Sequence, residues 1–177
     1  MKIAGICRNG TMCKASISKI NKMSSDQLLI NEYYLEAAKE LKEETLSDAN
    51  LWYSHIISLP VKYQVVYTVW VFHTQIFNGG FHQYFFNAYG QFAYLTVEHL
   101  RLINASKSAD LLETAISQVN IKDYEINEFR KRIFGRKIKR IVDFDDQLGD
   151  FLNELDSKYF SVNEDLEKLL INYLLDK

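Results

Sequence analysis

The sequence predicts an all-α fold: a single compact domain of about eight helices around one central buried helix. Three observations carry that expectation. One proline and seven glycines in 177 residues leave little turn chemistry for an all-β chain. Residues Val61 to Phe77 are almost continuously apolar over a length too great for an ordinary strand. Capping residues recur just ahead of segments whose apolar positions are spaced by three and four.

Taken in order, residues 1–22 show no clean period and carry five Lys/Arg and no acid. They read as a basic N-terminal arm, with the helical domain spanning 23–177. Ser24-Ser25-Asp26 supplies N-cap chemistry for a helix from Gln27 to about Leu46. On it Ile30, Tyr33, Tyr34, Ala37 and Leu41 share one face, and Glu32, Glu36, Glu40 and Glu43 share the other. Ser47-Asp48 caps a short helix through Trp52 and Ile56, which must end before Pro60. Val61–Phe77 is then the central helix, apolar on most sides. Further helices are expected from Phe92 to Ile103, up to Val119, and over 123–134 to Gly135. The next starts at Asp143 or Asp145, with Phe144, Leu148, Phe151, Leu152, Leu155 and Tyr159 as its core face. Asp143, Asp146, Asp150 and Glu154 line its far side. Asn163-Glu164-Asp165 caps the last helix through Leu174.

The most distinctive stretch is Phe77-Asn78-Gly79-Gly80-Phe81-His82-Gln83-Tyr84-Phe85-Phe86-Asn87-Ala88-Tyr89-Gly90. It holds three of the seven glycines, and eight of the chain's 24 aromatic residues lie between Phe77 and Tyr94. The paired glycines should close one helix, and the spacing of Phe81, Tyr84, Phe85, Tyr89 and Phe92 predicts a new one with an aromatic face. Asn78, Gln83 and Asn87 are expected to form a polar cluster beside those aromatics, satisfying buried hydrogen bonds.

Charge is segregated along the chain although the formal total is only −2. Residues 26–48 hold seven acids against two lysines, and 141–177 hold ten against three. Residues 122–140 hold eight basic groups against three acids, crowded at Arg130, Lys131, Arg132, Arg136, Lys137, Lys139 and Arg140. Such blocks speak to partners more than to fold. No phosphate loop, dinucleotide fingerprint, nucleophile elbow or zinc-protease pattern occurs. Cys7 and Cys13 have no further cysteine to complete a four-thiolate site, and no histidine pair sits at i, i+4. The chain is therefore expected to be no enzyme and to bind no metal or cofactor. With no apolar leader and no membrane-length apolar run, a cytoplasmic protein without a membrane partner is expected.

The block Phe77-Asn78-Gly79-Gly80-Phe81-His82-Gln83-Tyr84-Phe85-Phe86-Asn87, followed by Gly90, resembles the hallmark of the bacterial DNA-mimic protein 19 family. The likeness extends over most of residues 27–175 and leaves out the basic arm. It implies an all-helical, non-catalytic domain working as a homodimer, whose negative surface imitates duplex DNA and occupies the DNA-binding face of a transcription factor. On that reading Asn78, Gly79, Gly80, Phe81, Gln83, Phe85, Asn87 and Gly90 are fold determinants. The partner, a DNA-binding protein, would meet the acidic stripes Glu32/Glu36/Glu40/Glu43 and Asp143/Asp146/Asp150/Glu154. The near-neutral total departs from a mimic's acidity. Two alternatives stand beside it: direct nucleic-acid binding through 130–140, and a small-molecule or enzymatic pocket at the aromatic block around Asn78, His82, Gln83 and Asn87.

Overall fold

The computed structural model describes residues 24–176, and the basic arm with Cys7 and Cys13 lies outside them. The described residues are helical and contain no strand. Among them eight helices have nine or more residues: α1 (Ser25–Ala38), α3 (Ala49–Ser58), α4 (Val61–Phe86), α5 (Ala93–Leu102), α6 (Ser106–Val119), α7 (Ile126–Phe134), α9 (Asp146–Ser161) and α10 (Leu166–Leu175). Two single-turn helices, α2 (Glu43–Leu46) and α8 (Lys139–Val142), and a 3₁₀ turn at Tyr89–Phe92 complete the set.

α1 begins with a capping box: the Ser24 side chain accepts from the Gln27 N–H, and the Gln27 side chain accepts from the Ser24 N–H. It stops at Ala38, eight residues short of the expected end at Leu46, and α2 follows after a break. The reason lies in packing. Five residues at 100° each would set Leu41 and Leu46 about 140° apart on a continuous helix. The break turns both onto the same cluster, around Ala37, Trp52, Ile56, Tyr67, Val71 and Phe92. Asp48 caps α3 through the N–H groups of Asn50 and Leu51. Beyond it, Gln64 donates to the carbonyls of Ile57 and Leu59, satisfying the helix end that Pro60 forces.

α4 is the axis of the molecule. It packs against α1, α3, α5, α8, α9, α10 and the 3₁₀ turn. Val65, Val66, Val69 and Phe72 are fully buried in the main core, where burial of each such side chain contributes about 1.5–3 kcal/mol. That outweighs the few tenths by which β-branched residues disfavour helix. Its opposite side, through Tyr67 and Val71, builds the second cluster, where the Trp52 indole N–H donates to the Tyr67 hydroxyl at 3.0 Å.

The aromatic helix expected over Phe81–Tyr89 ends at Phe86, because Ala88 takes a left-handed conformation (φ 64°). Tyr89 and Phe92 thereby leave the Phe81 face and pack edge-on to Trp52, at 5.5 and 5.7 Å. α6 has no local side-chain cap, since Ala105 sits at its N-cap. Glu164 supplies one from far along the chain. Its carboxylate accepts from the Lys107 N–H, the Ser108 N–H and the Ser108 hydroxyl, each at 2.8 Å. Only Asp165 of the expected Asn163-Glu164-Asp165 group caps α10.

His99 is buried on α5, its Nδ1 2.7 Å from the Thr68 hydroxyl. Burial lowers its pKa from 6.5 to about 4. A depressed folded-state pKa means the neutral ring's stabilisation is whole above pH 6.5 and is lost as pH falls towards 4. Denaturant melts across that window should show roughly 3 kcal/mol lost by pH 4. His99→Gln should flatten that part of the profile.

Candidate functional site

The paired glycines are a kink inside α4, and the helix resumes at once after them. Gly80 has φ 71° and ψ −171°, a conformation that L side chains rarely adopt. Immediately after it, the Phe81 N–H donates to the Asp156 carboxylate at 2.8 Å. A Cβ on Gly80 would lie 2.5 Å from Asp156 Cγ, so glycine is what admits the carboxylate to the new helix start. Burial raises the Asp156 pKa, against the opposing pull of the Phe81 N–H and of His82. Gly79 is exposed with φ −179°, and a Cβ there would meet only the flexible Gln83 side chain. Gly90 is buried against the Phe85 backbone, where a Cβ would come within 3.1 Å of Cα.

The polar cluster differs from expectation. Gln83 and Asn87 both donate to Gln75 Oε1, at 3.2 and 2.9 Å, while Asn78 is exposed and outside the group. Gln75 sits one turn before Asn78, and its inward face was not apparent in a run of apolar residues. Phe81 and Phe85 are buried core. Phe85, Phe86, Ile133 and Ile138 pack together with no room left for a water molecule between them.

His73 and His82 bond to different elements. His73 Nδ1 bonds the Tyr159 hydroxyl at 2.8 Å, and His82 Nε2 donates to the Ile141 carbonyl at 2.9 Å. His55 donates to the Ala37 carbonyl at 3.0 Å. Among the described residues no three His, Cys, Asp or Glu side chains are grouped to hold a metal.

The acidic stripes are redistributed. Glu32 and Glu36 lie exposed on α1, but Glu40 falls in the turn after it and Glu43 opens α2, so the four form no single helix face. Glu36 also pairs with Lys39 at 3.3 Å. Asp143 caps α8 at its C-terminus and is not on α9. Asp146, Asp150 and Glu154 do share α9 at i, i+4 and i+8, all exposed. None of the three is in an ion pair among the described residues. Asp145 is spent on structure, accepting from the Leu148 N–H at 2.9 Å and pairing with Arg140 at 3.2 Å.

The basic run is largely scaffolding. Arg130 is buried with its guanidinium 3.3 Å from the Tyr53 ring centroid and bonded to Asn127. Arg132 pairs with Glu128 at 2.7 Å beneath Tyr124, and Arg136 lies 4.7 Å over Phe86. Arg140 reaches Asp145 and the Gln118 carbonyl. Lys131, Lys137 and Lys139 are the cations of that run left exposed with neither a ring nor an acid against them among the described residues. The formal total stays −2, and five of the positive charges lie in residues 1–22, outside the described residues.

Residues 57–177 match the family model described as DMP19-like protein. The chain belongs to the DMP19-like family. No curated protein and no solved structure matches it significantly. The DMP19-like match takes in the kink and the α9 stripe. It leaves out Glu32, Glu36, Glu40 and Glu43.

Beside the kink the DMP19-like region opens a groove of about 260 Å³, lined by His82, Phe144, Asp145, Asp146, Gly149, Asp150 and Asn153. Phe144, expected in the core of α9, is 63% exposed and lies before that helix with φ 52°. Asp145 takes the N-cap, which leaves Phe144 in the connecting turn. Its ring stacks on His82 with centroids 4.5 Å apart. A larger open groove of about 550 Å³ runs past Tyr94, Val97, Glu98, Ile116, Asn120 and Ile121.

Gly80→Ala should cost about 3 kcal/mol, from a disfavoured φ and displacement of the Asp156 carboxylate. Gly79→Ala should cost less than about 1 kcal/mol, since only a flexible side chain must move. Urea melts of the two variants measure the difference, and equal losses would contradict this account of the kink.

Proposed function

We propose that this chain is a non-enzymatic, cytoplasmic protein-interaction module that presents the α9 acids to the DNA-binding face of a basic protein, as a mimic of duplex DNA. The observation that carries this reading is the line of Asp146, Asp150 and Glu154, exposed and without cationic partners among the described residues. Membership of the DMP19-like family supports it.

Successive acids on α9 rise about 6 Å, whereas phosphates on one DNA strand advance about 3.4 Å. One stripe is therefore half as dense as one strand, and a homodimer that doubles it comes closer. Apolar surface for a second copy exists at Phe77 and Phe160, both exposed, with ring centroids 5.2 Å apart.

Direct nucleic-acid binding is the second reading, supported by exposed Lys131, Lys137 and Lys139 around the α7–α8 junction. Engagement of four neighbouring arginines within the fold weakens it.

Reversing Asp146, Asp150 and Glu154 to Lys should leave the helical circular dichroism intact, because these side chains face away from Leu148, Leu152 and Leu155. The same variant should lose at least about tenfold in affinity for a DNA-binding protein captured by the wild type, and wild-type binding should weaken with salt. Retained capture by the variant, or a gel shift of duplex DNA by the wild type, would refute mimicry.

A further inference from the structure

Two carboxylates one turn apart are ordinary on a solvated helix, and Asp146 and Asp150 alone would mark nothing. What distinguishes them is the surface between them. Gly149 lies in the interior of α9, where glycine is about 1 kcal/mol worse than alanine. Every other reason for a glycine is missing there: its φ is not positive, and an added Cβ would meet nothing within 4 Å. The fold does not need it, yet it lines the 260 Å³ groove. Phe144 stands at the same groove, a large apolar ring left mostly in solvent and held by stacking on His82. Phe86 backs it at 5.7 Å, and Arg136 in turn lies over Phe86. A mostly exposed aromatic ring and a helix glycine that the packing does not require, met at one groove, mark a surface kept for binding.

We infer that this groove is a socket for a single arginine side chain of the partner protein. The guanidinium plane stacks on the free side of Phe144, and its N–H groups donate to Asp146 and Asp150. Gly149 leaves the clearance for the side chain to lie along the helix. Arginine fits better than lysine because a planar fork can stack and donate to two carboxylates together, while a compact ammonium cannot. Asp145 takes no part, being held by Leu148 and Arg140.

The inference rests on the reading of the chain as an acid-faced interaction module, and its test uses no DNA-binding protein. Blocked Gly-Arg-Gly and Gly-Lys-Gly peptides are titrated into the full chain and followed by NMR. The arginine peptide should give saturable shifts at the Asp146, Gly149 and Asp150 amides and the Phe144 ring, with a Kd on the order of millimolar. The lysine peptide should bind at least about fivefold more weakly. Gly149→Leu should fill the groove and abolish the shifts at an unchanged or raised Tm, and Phe144→Ala should erase the preference for arginine. Equal binding of both peptides, no saturable shift, or full binding by a folded Gly149→Leu variant would overturn the socket. Arginine binding that persists while DNA-binding proteins are not captured would refute mimicry alone.

Discussion

The structure depends on one carboxylate reaching one backbone N–H across a residue with no side chain. Asp156 on α9 accepts from Phe81 at the restart of the kinked α4, and Gly80 is the gap through which it passes. This contact joins two elements 75 residues apart in the chain. It fixes the direction of the second arm of α4, and so the place of Phe81, Tyr84 and Phe85 in the core. It also sets His82 beside α9, where the imidazole supports Phe144 and lines the acidic groove. The hallmark motif therefore acts on the candidate interaction surface through geometry, with His82 as its one member at the groove.

Much of the fold was legible because it follows from local chemistry. The apolar length of Val61–Phe77, the Ser24 and Asp48 caps and the stop at Pro60 needed no knowledge of distant residues. The failures share a cause, which is that a side chain's partner lay far away. Glu164 looked like part of a local cap and instead closes α6. Leu41 and Leu46 looked like one helix and were parted by a cluster on the far side of α4. Phe144 fell at core spacing, yet Asp145, the later of the two expected starts, is the cap and leaves it outside the helix.

The acidic and basic blocks show the same limit. Sequence reported their signs correctly, but charge becomes a surface property only when the fold decides what is spent internally. Four arginines of the basic run are consumed by aromatic rings, Glu128 and Asp145, whereas three α9 acids remain unpaired among the described residues. Five of the chain's positive charges lie in residues 1–22, outside the described residues and outside the family match, and the formal total of −2 includes them.

The measurement that tests the organising contact most directly is a double-mutant cycle between Gly80 and Asp156. Urea melts of Gly80→Ala, Asp156→Ala and the double variant give the coupling free energy. If the carboxylate fills the space a Cβ would need, Gly80→Ala made in the Asp156→Ala background should cost at least about 1 kcal/mol less than in the wild type, on the order of couplings between touching groups. Additive losses would mean that Gly80 answers only to its own backbone conformation, and the contact would lose its place at the centre of the fold.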